Sequence, residues 1–204
     1  FCRTAKMGFT RNLEAGEILE EILHVNWYLK DNGILDADGK IAQVTNIIFM
    51  GMGEPLNNLE QVHRVCCTLH NQSLFNMGAK RMTVSTSGVV PKIKELVDRN
   101  TPCCLAVSLN STNNEYRSSV MPVNKVWPIE KLLEAVDEYI RRTDNYVTFE
   151  FVLIQGITCT PKAAKELIRI CAPRRVKVNA IVLNDGDDPT LHAPTPEEVE
   201  DFLA

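Results

Sequence analysis

The 204 residues, 45% of them apolar, suffice to bury a full core, and one large domain is the simplest organisation. Charged residues make up 24% without long like-charge blocks, and Gly and Pro number 10 each, which excludes a disordered or low-complexity chain. A net charge of −4 gives no global reason to bind nucleic acid, and apolar runs such as Ile47 to Met50 fall far short of the roughly 20 residues of a membrane helix, so the reading is a soluble protein with no membrane partner.

Two periods alternate along the chain. From Glu14 to Lys30, Ile18, Ile22, Val25 and Leu29 recur at helical spacing and predict a helix laying an apolar stripe on a core. Val44 to Met50 reads as a buried strand. A helix over Leu59 to His70, a strand over Arg81 to Ser85, a helix over Lys92 to Asp98 and a strand over Cys103 to Leu109 follow. Pro128 at a first helical position opens a helix to Arg142, with Ile129, Leu132, Leu133, Val136 and Ile140 on one face. Val147 to Leu153 is a strand; Thr160-Pro161 starts a helix to Cys171; Val176 to Leu183 is a strand; and Thr195-Pro196-Glu197-Glu198 is a capping box for a last helix. A helix comes first in this alternation, so the first strand is missing. Right-handed β–α–β crossovers imply an α/β fold with a parallel sheet, curved or partly closed into a barrel with helices outside; a flat doubly wound sheet is the alternative. Either architecture gathers ligands at the carboxyl ends of the strands.

The residues after the strands are polar and small. Gly51-Met52-Gly53-Glu54-Pro55 offers close backbone approach and a carboxylate suited to an amine, or is a plain tight turn. Ser85-Thr86-Ser87-Gly88 suits a carboxylate or a ribose, or is a cap and turn; Ser108-Leu109-Asn110-Ser111 is similar. Asn179 interrupts an apolar run, where a buried amide needs partners from backbone or ligand. Cys2 stands after the missing strand, where it serves either packing or a metal centre. The seven cysteines include the pairs Cys66-Cys67 and Cys103-Cys104, and form an odd set in apolar surroundings. They imply a reducing compartment, the cytoplasm or an organelle matrix, and Cys66, Cys67, Cys103, Cys104, Cys159 and Cys171 read as buried packing residues. Lys80-Arg81, Lys92, Lys94 and Arg174-Arg175-Lys177 are local basic residues that either touch phosphate or sit on solvated helix ends.

Taken together, these motifs resemble the RlmN and Cfr family of radical S-adenosylmethionine (SAM) RNA adenine methyltransferases. Phe1-Cys2 resembles the end of that family's Cys-x-x-x-Cys-x-x-Cys cluster loop, and Gly8-Phe9-Thr10-Arg11-Asn12-Leu13 with Gly16-Glu17-Ile18 resembles the signature that follows it. Met50 to Asn58, Lys80 to Pro91, Leu105 to Leu109, Met121 to Lys125, Val147 to Leu153 and Lys177 to Asn179 continue the similarity almost from end to end.

The resemblance implies a partial (β/α)6 barrel holding a 4Fe-4S cluster and SAM. Cys2 would be one thiolate ligand; Gly53 and Glu54 would meet the methionine amine; Ser85, Ser108, the Leu109 backbone and Asn110 would contact the carboxylate and ribose; and Asn179 the nucleoside end. No catalytic residue falls in this chain. Electron transfer from a donor such as flavodoxin or ferredoxin would cleave the sulfonium to a 5′-deoxyadenosyl radical. The outcome in the family is methylation of an adenine carbon of ribosomal RNA, C2 rather than C8 on this resemblance, with transfer RNA a further substrate. The first two cluster cysteines, the methyl-carrying cysteine and the general-base glutamate are not in these 204 residues, so the chain reads as the core of a longer protein. Asn110 stands where the family commonly has His, and the acidic run Asp185-Gly186-Asp187-Asp188 opposes an RNA-facing rim. A non-catalytic descendant retained as a ribosome-associated binding or assembly factor is the alternative function.

Overall fold

The structure is a computed structural model describing residues 7–184 and 188–204. Helices and strands alternate in chain order: α1 (Ala15–Asp31), β1 (Ile47–Phe49), α2 (Leu59–His70), β2 (Met82–Thr86), α3 (Val90–Asp98), β3 (Cys104–Ser108), α4 (Asn114–Val120), α5 (Val123–Val126), α6 (Ile129–Thr143), β4 (Val147–Leu153), α7 (Pro161–Cys171), β5 (Val176–Val182) and α8 (Pro196–Leu203). The strand order, β1-β2-β3-β4-β5, is the chain order. The described residues form two compact units: 7–85 with Asp98–Cys104 make the N-terminal unit, and Thr86–Val97 with 105–184 and 188–204 make the C-terminal unit. Among the described residues, no helix is long and apolar enough to cross a membrane.

In the N-terminal unit, Arg11 donates to both oxygens of Glu17 at 2.7 and 2.6 Å, and Glu17 also accepts from the Glu14 N–H at 2.8 Å, completing a capping box for α1. The hydrogen bond from Arg11, reinforced by the one from Glu14, holds the Glu17 carboxyl down at about 2. The Arg-Asn-Leu and Gly-Glu-Ile signature therefore builds a helix start. The core of this unit lies under α2, where Leu59, Val62, Val65, Cys66 and Leu69 are buried. β1 pairs in parallel with β2, from Ile47↔Met82 to Phe49↔Val84. The expected buried strand Val44 to Met50 is shorter and more open than the sequence implies, with Ile48 59% exposed. Pairing starts at Ile47 because its partner strand starts at Met82; the preceding Ala79–Arg81 is a 3-10 turn, which offers no extended edge. Along α1 only Ile22 is buried, and Val25 lies exposed, so the predicted four-residue stripe is only partly used.

In the C-terminal unit, β3, β4 and β5 pair in parallel, with Leu105↔Val147 and Val147↔Val176 opening the two registers. Val147, Phe149, Phe151 and Leu153 of β4 are all fully buried, as are Leu132, Val136 and Tyr139 of α6, and each such side chain contributes about 1.5–3 kcal/mol. Phe202 of α8 stacks on Phe151 with ring centroids 6.0 Å apart. Thr160 caps α7 by accepting from the Ala163 N–H, and Thr195 with Glu198 forms the capping box of α8, as their sequences require. Pro128 is the N-cap of α6 and not its first helical residue: its ψ of 167° is extended, and Ile129 begins the helix. The short helices α4 and α5 are additional to the predicted set.

Candidate functional site

Strand-end residues of the N-terminal unit begin with Gly53, whose φ of +88° needs the absence of a Cβ. That turn delivers Glu54 as the cap of a 3-10 turn over Pro55–Asn58, its carboxylate accepting the Leu56 N–H at 3.1 Å. Glu54 is half-buried, and Leu56, which follows it, is fully buried and anchors the turn. Ser85, at the end of β2, is buried.

In the C-terminal unit the turns after β2 and β3 are built around one cation. Arg117 of α4 is fully buried, and its guanidinium donates to the Leu109 carbonyl at 2.9 Å, Ser108 carbonyl at 2.9 Å, Ser87 carbonyl at 2.8 Å and Asn124 Oδ1 at 2.8 Å. Burial pulls its pKa down to about 10, so it remains charged at neutral pH. Gly88 sits against it at φ +108°; a Cβ there would come within 3.3 Å of Arg117 Nη2 and 3.2 Å of Leu132 Cδ1. Thr86 Oγ1 closes the same turn by accepting from the Gly88 N–H at 3.1 Å.

The Ser108-Leu109-Asn110 turn is pinned from β4 as well. The Glu150 carbonyl accepts from the Leu109 and Asn110 N–H groups at 3.0 and 3.1 Å, and the Leu109 carbonyl also accepts from the Ser111 N–H at 2.7 Å. Both Leu109 backbone groups thus have protein partners. Asn110 adopts φ +55°, a left-handed conformation that asparagine tolerates better than most side chains. Its amide is buried at 7% exposure; Nδ2 reaches only the Met121 sulfur at 3.5 Å, and Oδ1 has no partner among the described residues. A buried, unpartnered acceptor is costly unless a donor from a ligand completes it. This is a fit for the SAM nucleoside or amino-acid groups, which carry such donors.

Asn179 donates from Nδ2 to Glu150 Oε2 at 2.6 Å, which fixes its amide orientation. The expectation that Asn179 lies in a buried strand is corrected: five of the seven β5 residues, Asn179 among them, are exposed. β5 stands last in the sheet order and pairs with β4 only, so its residues lack cover from a second neighbouring strand among those described. Glu150, buried at 8% exposure in β4, and Arg117 are the residues that sequence reasoning missed. A lone carboxylate in Val-Thr-Phe-Glu-Phe-Val-Leu was the available signal for Glu150. Arg117, in a polar stretch, offered none.

Cys2 lies outside the described residues, as do Asp185, Gly186 and Asp187. No group of three or more His, Cys, Asp or Glu among the described residues is placed to hold a metal ion. Cys66, Cys103, Cys104 and Cys159 are buried as expected, and a hydrogen bond to Cys66 together with burial pushes the Cys103 thiol up. Cys67 departs from the packing expectation: it is exposed on α2, its sulfur 3.6 Å from His63 Nε2, because its position falls beyond the stripe that Val62, Val65, Cys66 and Leu69 bury. Most of the local basic residues have partners: Lys92 with Glu95, Lys94 with Glu138, Arg174 with Asp137, Arg175 with Asp144, and Lys177 over the Tyr146 ring.

No family model matches the chain. It is 39% identical over 202 residues, 99% of its length, to a protein of Nitratiruptor sp. named dual-specificity RNA methyltransferase RlmN, and 39% identical over 207 residues to one of the same name from Campylobacter lari. The chain spans about half the length of these curated relatives, 55% and 56%. Among solved structures, a radical SAM methyltransferase from Sphaerobacter thermophilus superposes with a TM-score of 0.88 at 39% identity, covering 99% of this chain and 57% of that one. A domain of pyruvate-formate lyase-activating enzyme from Bacteroides vulgatus, 18% identical with a TM-score of 0.57 over 78% of this chain and 90% of that one, shares the fold. The expected fold class, a partial radical SAM barrel with parallel strands, is borne out.

Proposed function

We propose that the chain, similar over nearly its whole length to proteins named RlmN and to a radical SAM methyltransferase, is the SAM- and cluster-holding barrel of a radical SAM RNA methyltransferase. One observation carries the reading: the buried, unpartnered Oδ1 of Asn110, at the strand end where the family resemblance puts SAM. Asn110 Oδ1 accepts from a ribose hydroxyl or an amine of the ligand, Ser108 donates its hydroxyl beside it, and Asn179, its Nδ2 occupied by Glu150, turns Oδ1 to the nucleoside. In the N-terminal unit, Glu54 offers a carboxylate and Gly53 close backbone approach suited to an amine such as that of methionine, and Ser85 a hydroxyl suited to a carboxylate or a ribose. Cys2 supplies one of the thiolates of the 4Fe-4S cluster. When bound, cluster and SAM supply reductive cleavage of the sulfonium bond; this chain's residues hold and orient the ligand and keep water from it.

The substrate is an RNA, a class that the names of the relatives support, and the family resemblance makes the methylated base an adenine. On the family resemblance of the sequence motifs, we place the methyl on C2 rather than C8 of a ribosomal RNA adenine, with transfer RNA as a second substrate. A flavodoxin- or ferredoxin-type protein delivers the electron.

The test uses the full-length protein, reconstituted without oxygen and given SAM, reductant and unmodified ribosomal RNA. About four iron and four sulfide per chain and 2-methyladenosine in digested RNA are expected. 8-Methyladenosine would move the target carbon. A cluster-free protein that still binds ribosomal RNA would replace this reading with the non-catalytic assembly factor.

A further inference from the structure

The C-terminal unit buries a guanidinium that pairs with no carboxylate among the described residues. Arg117 is fully buried; all its hydrogen bonds go to neutral acceptors, three carbonyls and one amide, and no carboxylate among the described residues pairs with it. Burying a cation in this way is costly, and buried charges are ordinarily paired as well as hydrogen-bonded. Arg117 is instead held in place by a neutral chain. Asn124 Nδ2 donates to the Ser118 hydroxyl at 2.8 Å and to the Asn114 carbonyl and Oδ1 at 3.1 Å, and Asn114 Oδ1 accepts the Ile129 N–H at 2.9 Å at the start of α6.

The acceptors of Arg117 are not scattered. Ser87 belongs to the turn after β2; Ser108 ends β3 and Leu109 opens the turn after it, next to Asn110, whose Oδ1 is unpartnered. A cation on these carbonyls polarises their peptides, whose N–H groups, those of Gly88, Leu109 and Asn110, already donate to Thr86 Oγ1 and the Glu150 carbonyl; it thereby tightens the turns, and its field extends to whatever those turns hold. In a site of low dielectric, an unneutralised positive charge favours a ligand that brings the missing anion.

We propose that Arg117 is a positioning residue of the SAM site, shaping the turns after β2 and β3 through their carbonyls, and that its unneutralised charge tunes those turns to a ligand bearing a carboxylate. This rests on the reading of the site as a SAM site. SAM meets the requirement through its methionine carboxylate, and Arg117 acts on it through the turns.

The experiment is calorimetric titration of the full-length protein, wild type, Arg117→Lys and Arg117→Met, with S-adenosylhomocysteine and with its decarboxylated analogue, and it needs no cluster or turnover. The wild type prefers the carboxylate-bearing ligand. Arg117→Lys keeps the charge but not the planar fork, so both ligands weaken while the preference survives. In Arg117→Met the homocysteine ligand weakens by about tenfold or more, the size of a lost charge-assisted hydrogen bond, and the preference collapses toward parity. A folded Arg117→Met protein that binds both ligands as the wild type does, or loses both by the same factor, overturns the proposal. Should that variant not fold, Arg117→Lys decides: weaker binding with the preference intact supports the proposal, and unchanged binding overturns it. A wild type that binds neither ligand instead removes the SAM reading itself.

Discussion

Strands β4 and β5 pair in parallel over seven residues each, from Val147↔Val176 to Leu153↔Val182, and both are rich in valine. Every residue of β4 is nevertheless buried or half-buried, whereas five of the seven in β5 are exposed. β4 pairs with β3 on one side and β5 on the other; β5 pairs with β4 alone among the described strands. Apolar and β-branched content decides that a segment is a strand, and its place in the sheet order decides whether it is core. The contrast also separates two ways of holding a polar site residue. Glu150 sits in the buried strand and organises its surroundings with both backbone and side chain, while Asn179 on the open strand takes its orientation from Glu150.

Truncating the core gives the sharpest break. Phe149→Ala, at a fully buried site of β4, is expected to cost about 3–5 kcal/mol, and Val178→Ala on β5 under ~1 kcal/mol, by urea unfolding. Equal losses would erase the distinction between the strands. Next in size, Glu150→Ala removes a buried hydrogen-bonded carboxylate and should cost about 1–3 kcal/mol, against ~0.5 kcal/mol or less for Asn179→Ala. Both should weaken S-adenosylhomocysteine binding, and Glu150→Gln, which still accepts the Asn179 amide, should restore most of it. Loss of binding in Asn179→Ala alone would show that Glu150 does not orient its neighbour.

Smaller effects belong to α8, which lays Phe202 on Phe151 of β4. Thr195→Ala removes its cap and should cost about 1 kcal/mol in thermal or urea unfolding. Acid acts on the same cap. Hydrogen bonds from the Thr195 backbone and from Gln155 hold the Glu198 carboxyl below its ordinary 4.5. Its stabilisation is therefore complete above that value and is lost as pH falls through the lower folded one. Hydrogen exchange at mildly acidic pH should show α8 loosening while β4 amides stay protected.

The elements that were legible in the sequence were those with a strong local signal. α2 and β4 run as predicted, from Leu59 to His70 and from Val147 to Leu153, because each has an unbroken apolar pattern, and the caps at Thr160 and Thr195 carry their own chemistry. α4 was not legible: Asn-Glu-Tyr-Arg-Ser-Ser-Val has no apolar stripe, and what fixes it is the Asn113 cap and an arginine pointing inward. Pro128 shows a similar limit, since a cap and a first helical residue differ only in ψ. At the candidate site, the turn residues from Gly53 to Asn110 were readable as small polar strand ends. Their supports were not, because a buried arginine and a solvated one look the same in one dimension.

The central claim is that Asn110 Oδ1 waits for a ligand donor, and Asn110→Gly tests it most directly. Glycine accepts the φ of +55° and removes only the side chain, so the fold is left without strain. Calorimetric titration of the full-length variant with S-adenosylhomocysteine should show affinity reduced by about tenfold, with the melting temperature unchanged or raised, because an unsatisfied buried acceptor has gone. Affinity equal to that of the wild type in a folded variant would contradict the account.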